Sequence, residues 1–285
     1  MSELILRGAT TTTAPRPWAR WRVSVSAVVL ALIVLLCFVG PFLSPYGADQ
    51  LDNGDALAQP SAAHWLGTDE IGRDMATRIL TGGQLTLTIA FGSVLIALIL
   101  GTIWGMVAAV RGGIVDEILM RLADISMAIP QVLFGLLCVA AVGPSLASLI
   151  IITGLLLTPS SARMARASVL QEISQDYYAA GVAYGAGQVR LMATEVLPNA
   201  APGIASQAVI NAASAIILEA SLSFVGLGVQ SPQASWGSLL QQGYGQIYST
   251  PMYAIAPAVA ILVTVLTVNL MADRVGQRKG IRGDR

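Results

Sequence analysis

Long apolar runs, separated by shorter polar stretches, dominate the sequence. About 20 residues of α-helix cross a bilayer core of about 30 Å, and six runs are long and apolar enough to do so. Lipid offers the backbone no hydrogen-bond partner, so each span must be helical. The pattern therefore predicts an all-α membrane protein with six transmembrane helices. The predicted spans cover residues 23–43, 85–110, 118–142, 145–162, 203–225 and 252–271.

The spans divide the rest of the chain into tails, a core and a loop. A tail at 1–22 precedes the first span, and residues 44–84 separate that span from a core at 85–273. A loop at 163–202 interrupts the core, and a tail at 274–285 follows it. The first run could also be a cleaved signal peptide. Its length, and the lack of a clean Ala-x-Ala site after it, favour an uncleaved anchor.

Positive charge is distributed very unevenly between the two sides of these spans. If the N-terminus is cytoplasmic, only Arg73 and Arg78, of 16 Lys and Arg residues, lie on the outer side. Lys and Arg concentrate in the cytoplasmic regions of membrane proteins. Both termini and the loop at 163–202 are therefore predicted to be cytoplasmic, and the segments at 44–84 and 226–251 extracytoplasmic.

Composition excludes several classes of function. The chain is 55% hydrophobic and 11% charged, whereas soluble domains carry about 25% charged residues. Its two cysteines, Cys37 and Cys138, lie inside apolar runs and do not suggest a disulfide or a metal pair. There is one histidine, His64, and no Gly-Lys-Ser/Thr, so the chain has no P-loop of its own. Neither His-Glu-x-x-His nor Gly-x-Ser-x-Gly occurs, which argues against an intramembrane protease. We expect no catalytic residue and no metal site.

The second span carries a small residue at every fourth position. This spacing puts the small side chains on one helical face, where a neighbouring helix can approach closely. Plain helix packing is the interpretation we favour, and a lining for a substrate path is the alternative. The residues are Ser93, Ala97, Gly101, Gly105 and Ala109.

The fifth span is the most polar of the six. Asn211, Ser214, Glu219 and Ser221 should face a partner or a wet cavity, such as a translocation pathway, because an acid inside a membrane marks a functional site by default. The alternative is that Glu219 forms hydrogen bonds with a neighbouring loop. Asp124 in the third span suits an interfacial ion pair better than a proton relay.

The outer segment at 44–84 contains a turn and then a predicted short amphipathic helix. Thr68 or Asp69 can cap this helix, and Gly82 and Gly83 end it. Such a helix can lie in the membrane interface before the second span. A simple re-entry linker is the alternative.

The stretch at 171–203 is too polar to cross a membrane and too patterned to be a linker. Residues 174–192 are predicted to form two short helices with a turn at 185–187, and Pro198 and Pro202 to break the chain before the fifth span. A half-apolar helix exposed in a loop needs another surface to cover it. This stretch is therefore predicted to be a docking element.

A spaced motif closes this stretch: Gly185, nine further residues and then "EVLP" at 195–198. It resembles the cytoplasmic loop of the permeases of ABC importers, whose pattern is Glu-Ala-Ala, three residues, Gly, nine residues, Ile-x-Leu-Pro. Where the family has Glu-Ala-Ala, this chain has Ala-Ala-Gly, and Asp176 offers a nearby negative charge. Four further stretches resemble the C-type permease of the peptide/nickel subfamily: "HWLGTDEIGRD" at 64–74, "AIPQVLFG" at 128–135, "LPNAAPGI" at 197–204 and "EASLSFVGLGVQSPQASWG" at 219–237.

The resemblance implies the type I ABC importer permease fold in a bacterial plasma membrane. It implies a second, homologous permease subunit, two ABC ATPases that bind ATP and Mg²⁺, and an extracytoplasmic substrate-binding protein. This chain would need no cofactor and bind no nucleic acid. The binding protein would contact Trp65, Asp69, Arg73 and Trp236. The ATPase would contact a coupling loop that includes Asp176, Tyr177, Ala179, Ala180, Gly181, Gly185, Arg190, Leu197 and Pro198.

The substrate and the energy source leave alternatives open. Relatives of this kind carry dipeptides, longer peptides, glutathione or nickel, and we expect di- or oligopeptides. A secondary transporter or channel that runs without ATP is the alternative function. Charged relays and repeated halves with broken helices are typical of that class, and here only Glu219 and Asp124 are candidates for a relay.

Overall fold

Helices make up almost all of the regular structure. The computed structural model describes residues 17–51 and 55–277, so most of the two predicted tails lies outside the described residues. Within them no β-strand forms. The helices are α1 (Pro17–Leu43), α2 (Met75–Arg111), α3 (Gly113–Ala128), α4 (Gln131–Val142), α5 (Leu146–Ile173), α6 (Asp176–Ala183), α7 (Gln188–Leu191), a π-helix (Met192–Val196), α8 (Leu197–Phe224), α9 (Trp236–Gly245) and α10 (Pro251–Gln277).

The third predicted span, 118–142, is not one helix. α3 and α4 meet at an angle of 88° around Ile129 and Pro130, and they make a sixth span only if the bent pair is counted as one. Pro130 lacks an amide hydrogen, and its ring disfavours a helical conformation in the residue before it. Ile129 is accordingly extended, with φ −83° and ψ 130°. The single continuous helix predicted here was wrong.

Two helices next to the predicted loop are longer than expected. α5 continues past 162 to Ile173, so the loop is shorter than 163–202. Pro198 and Pro202 do not break the chain, because both lie inside the first two turns of α8. The π-helix Met192–Val196 runs directly into α8, so Pro198 follows a wide helical turn, an irregularity that often accompanies a helix bend. The prediction of a break before the fifth span was wrong.

In the described part of the outer segment, residues 44–51 and 55–84, no separate amphipathic helix forms. α2 begins at Met75 and runs through Gly82 and Gly83 to Arg111, and its N-cap is Asp74, not Thr68 or Asp69. The two glycines lie inside the helix, at positions where neighbouring parts of the chain approach it closely. A Cβ on Gly83 would lie 2.4 Å from Cys37 Sγ.

The small-residue face of α2 packs against α5, as the favoured interpretation predicted. All five small residues of that face are buried. A Cβ on Gly101 would lie 2.3 Å from Ser161 Cβ, and one on Gly105 would lie 2.3 Å from the carbonyl oxygen of Ala162. The backbones of α2 and α5 are therefore too close for any other residue at these two positions.

Ion pairs join α3 to α5. Asp116 accepts hydrogen bonds from the guanidinium of Arg166, and Asp124 accepts one from Arg163. The predicted interfacial ion pair of Asp124 is confirmed. These contacts fix α3 beside the last third of α5.

A network of buried charges holds the outer segment to the start of α2. Asp69 Oδ2 accepts a 2.6 Å hydrogen bond from Arg73 Nε and lies 3.4 Å from Arg78 Nε. His64 Nδ1 lies 3.0 Å from Asp74 Oδ1. All five side chains are buried. Because charged groups are costly to bury unless they are paired, this part of the chain has a single well-defined packing.

Candidate functional site

The segment between α5 and α8 folds as a short helical hairpin. α6 and α7 lie against each other at Gly181, where a Cβ would come within 2.6 Å of Leu191 Cδ2. Leu191, Met192 and Val196 are buried, and the last two belong to a cluster that also contains Val169 of α5. One side of the hairpin is thus fixed to the helical core.

The turn of the hairpin is closed by a Schellman motif. The amide of Gly185 donates to the carbonyl of Val182, and the amide of Ala186 donates to the carbonyl of Gly181, both over 3.0 Å. This pattern places the residue after the helix in the left-handed region, which suits glycine. Gly185 has φ +78°. The turn predicted at 185–187 is confirmed, and its geometry explains the glycine.

The free end of the hairpin exposes apolar side chains. Val182, Tyr184 and Val189 are 53%, 91% and 83% exposed, and we call these three residues the hairpin tip. A depression of about 460 Å³ beside the tip is lined in part by Arg190 and Glu195. An exposed apolar tip on a fixed hairpin is typical of a surface that a partner covers.

The predicted coupling-loop residues lie together in this hairpin, but they differ in exposure. Asp176 begins α6, and it is exposed together with Ala179, Ala180 and Arg190. Tyr177 is half-buried and donates a 3.1 Å hydrogen bond to Glu172 Oε2. Burial raises the pKa of Tyr177 above its usual value. A hydrogen bond with Asn199 lowers this pKa, and the nearby Glu172 carboxylate raises it further.

Leu197 and Pro198 have different surroundings from the rest of the predicted loop. Leu197 packs against the core cluster, and Pro198 is exposed in the first turn of α8. The sequence prediction missed Met192 and Val196, which fix the hairpin. They form part of a π-helix, an element often found at functional sites. The two residues are four positions apart, the spacing of one helical face, so the sequence carried a signal for them that the predicted break at Pro198 obscured.

The four polar candidates in α8 point in two directions. Asn211 and Glu219 are 2% and 0% exposed, whereas Ser214 and Ser221 are half-buried with accessible hydroxyls. Asn211 Nδ2 donates to Ser161 Oγ of α5 over 2.8 Å. Asn211 and Glu219 therefore face neighbouring helices of the same chain, and their prediction as pathway-lining residues was wrong. Ser214 and Ser221 remain on an open face.

That open face follows the length of α8. Its members recur every three or four residues, which is the spacing of one helical face, and apolar and polar side chains alternate along it. We call it the exposed face of α8. It comprises Gln207, Ile210, Ser214, Ile217, Ser221 and Phe224. At its end the ring of Phe224 contacts the ring of Tyr244 of α9 at a centroid distance of 5.7 Å.

Of the four predicted binding-protein contacts, only one is accessible. Trp65 is 77% exposed, whereas Asp69, Arg73 and Trp236 are 0%, 8% and 1% exposed. Asp69 and Arg73 pair with each other, and the indole of Trp236 donates to the carbonyl of Ile79 over 2.8 Å. These three predictions were wrong, because the residues hold the outer segments together instead.

Comparison with known proteins agrees with this fold. The profile of the family described as binding-protein-dependent transport system inner membrane component matches residues 97–281. A second profile, described as the N-terminal TM domain of oligopeptide transport permease C, matches residues 22–60.

Curated relatives match most of the chain. It is 35% identical over 248 residues to the probable D,D-dipeptide transport system permease protein DdpC of Escherichia coli, which covers 87% of this chain and 83% of the relative. It is 36% identical over 250 residues to the di/tripeptide transport system permease protein DppC of Pseudomonas aeruginosa, over 86% of this chain and 82% of the relative.

A solved structure shares the fold. A chain of the inward-facing MetNI methionine ABC transporter aligns with a TM-score of 0.59 and 20% identity, over 72% of this chain and 97% of that one. At this identity the likeness shows the fold alone. Together, the matched profiles, the relatives and the fold confirm the resemblance noted in the motifs. The chain is a multi-pass membrane protein that belongs to the family of binding-protein-dependent transport system inner membrane components.

Proposed function

We propose that the chain is one of two permease subunits of an ATP-driven importer of di- and oligopeptides. The substrate class is supported by relatives at about one-third identity that are named as dipeptide and di/tripeptide permeases. The energy must come from a partner, because the sequence contains no P-loop. The extracytoplasmic binding protein that delivers the peptide would meet Trp65.

The hairpin tip is the observation on which the proposal depends. Its apolar side chains, Tyr184 and Val189 above all, lie in the open, although the hairpin itself is fixed to α5 and α8. We infer that an ATPase subunit covers the tip on the cytoplasmic side. ATP would then favour one arrangement of that subunit, and the hairpin would pass the displacement to the spans.

The exposed face of α8 is the proposed contribution of this chain to the pathway. Ser214 and Ser221 are its hydroxyl-bearing members in the middle and outer parts of the span. A homologous second permease would supply the opposite wall. An ion-driven transporter is disfavoured, because Asp124 is paired with Arg163 and Glu219 is enclosed among helices of its own chain.

Co-purification and uptake together test the proposal. The tip variants Tyr184→Ser and Val189→Ser are compared with Leu51→Ser, which removes an exposed apolar side chain (56%) from the outer segment. We expect an ATPase subunit to accompany the wild-type chain and Leu51→Ser, and to be lost from the tip variants. ATP-dependent uptake of a labelled dipeptide into proteoliposomes, with ion gradients clamped, should likewise be kept by wild type and Leu51→Ser and lost in the tip variants. Uptake that persists without any ATPase would refute the proposal.

A further inference from the structure

Glu219 lies in an enclosed polar site between α2, α8 and the start of α9. Its Oε1 accepts a 2.6 Å hydrogen bond from Ser223 Oγ, and its Oε2 accepts a 3.2 Å hydrogen bond from Thr86 Oγ1 of α2. The side chain is 0% exposed, and among the described residues it pairs with no Lys, Arg or His. A buried carboxyl group is stable only if its surroundings compensate for the lost water.

The N-terminus of α9 supplies that compensation. Ser235 and Ser238 form a capping box at the N-terminus of α9. The amide of Trp236, the first residue of α9, donates a 3.1 Å hydrogen bond to Thr86 Oγ1, the same hydroxyl that donates to Glu219. Ser235 Oγ donates to Ser223 Oγ over 3.2 Å. The partial positive charge of a helix N-terminus is thus set beside the carboxyl group.

The backbone around this site leaves no room for a looser arrangement. A Cβ on Gly237 of α9 would lie 2.6 Å from the Cα of Ala220, the residue that follows Glu219 in α8. A Cβ on Gly228 would lie 1.8 Å from Ser223 Oγ. The start of α9 can occupy this position only because Gly237 and Gly228 have no side chain, which lets their backbone approach α8 closely.

α9 in turn lies at the end of the exposed face of α8. The contact between Phe224 and Tyr244 joins the last residue of that face to the last turn of α9. We propose that Glu219 is a positioning residue that fixes α9 as one rim of the outer mouth of the pathway. The anchoring itself is a property of the chain, and its consequence for transport rests on the proposed function.

The chemistry of the partners distinguishes this role from that of an ion or proton carrier. The direct partners of Glu219 are hydroxyls, and a hydroxyl can donate or accept. Glutamine can therefore replace Glu219 after the hydroxyls rotate, whereas alanine cannot. Serine can likewise replace Thr86, because it keeps the hydroxyl that both Glu219 and Trp236 use, whereas valine cannot.

Hydrogen–deuterium exchange of the peptide 235–245 tests the inference in the full chain, purified with whichever subunits accompany it. Loss of one bridging hydrogen bond should speed exchange there by about tenfold. We expect this in Glu219→Ala and Thr86→Val, and exchange within about twofold of wild type in Glu219→Gln and Thr86→Ser. Thr158→Val is the control, because Thr158 is equally buried but donates only to its own helix, at Gly154.

The transport readout is the binding-protein concentration that half-maximally stimulates ATP hydrolysis. This concentration should be higher than wild type in Thr86→Val and close to wild type in Thr86→Ser. Unchanged exchange in Thr86→Val would overturn the inference even if Glu219→Ala fails to fold. Equal defects in Glu219→Gln and Glu219→Ala would also overturn it, because charge would then be the requirement. The exchange results hold whether or not the chain imports peptides, so the two proposals can fail separately.

Discussion

Replacement of Gly185 isolates the role of the hairpin turn. A Cβ at Gly185 would meet nothing within 4 Å, so a small side chain there causes no clash. The backbone has φ +78°, which L-residues other than glycine rarely adopt. Gly187 is the matched control, because a Cβ there is equally unobstructed while its φ is −64°. Serine adds the same atoms at both positions.

The magnitude follows from the backbone alone. The left-handed conformation costs a residue with a Cβ about 1–2 kcal/mol relative to glycine. That cost lowers the ratio of closed to open turn by about 5- to 30-fold. Serine at 187 is instead a preferred N-cap for α7 and should be neutral or slightly stabilising. α6 contains no fully buried residue, and the half-buried Tyr178, which packs against the core cluster, opposes opening of the turn only in part. Apparent ATPase affinity then falls by at most the same factor.

The assay compares dipeptide uptake with ATP hydrolysis in proteoliposomes. We expect Gly185→Ser to lower uptake per ATP hydrolysed, while the amount of protein in the membrane stays at the wild-type level. Gly187→Ser should match wild type, and Gly185→Asn should recover part of the loss, because asparagine tolerates the left-handed region. Equal behaviour of the two serine variants would refute the role assigned to this turn.

Three further predictions address the pathway, the core and the outer surface. In a variant without the two native cysteines, Ser221→Cys should react with a water-soluble thiol reagent and Asn211→Cys should not; the reverse order would contradict the assigned faces of α8. Gly105→Leu should destabilise the chain by about 1–3 kcal/mol or prevent folding, whereas Gly245→Ala, where a Cβ meets nothing within 4 Å, should leave thermal unfolding unchanged. Trp65→Ala should weaken stimulation of ATP hydrolysis by the binding protein without lowering the unfolding temperature, and an unchanged response would remove Trp65 from that contact.

The helical architecture was predictable because a bilayer restricts the choices of the backbone. Apolar runs near 20 residues identify spans with little ambiguity. The small-residue period of the second span likewise predicted a packing face, and Gly101 and Gly105 lie at the closest approach of α2 to α5. These are local patterns, and the sequence contains all of the information needed to read them.

The break at Pro130 was visible in the sequence but not interpretable from it. A proline inside a span can bend a helix slightly, or it can end one and begin another. The outcome depends on which neighbours satisfy the freed backbone groups. Here Arg163 and Arg166 hold α3 against α5, and Ile129 takes an extended conformation. Those contacts join residues 39 and 50 positions apart, so local periodicity cannot reveal them.

The direction of polar side chains was the least predictable feature. Glu219 and Asp69 were expected to meet a substrate or a partner, and both are fully buried. The partner of Glu219 in α2 is Thr86, which is 133 positions away. Sequence alone shows that an acid lies in a span, but only the packed helices show that the acceptor faces inward. By contrast, Gly185 was identified from its motif, because its role is set by two adjacent hydrogen bonds.

The close contact of α2 with α5 has a mechanical consequence. Because Gly101 and Gly105 leave no gap, the two helices cannot slide past or part from each other without losing that fit, and they should tilt as one rigid body. Two residues, 174 and 175, separate the end of α5 from α6, so a push on the hairpin acts on the end of a lever about 42 Å long. A tilt of about 5° would carry the far end of α5 by about 4 Å. α5 would then act as a lever arm, and any bending would occur in the helices around the α2–α5 pair.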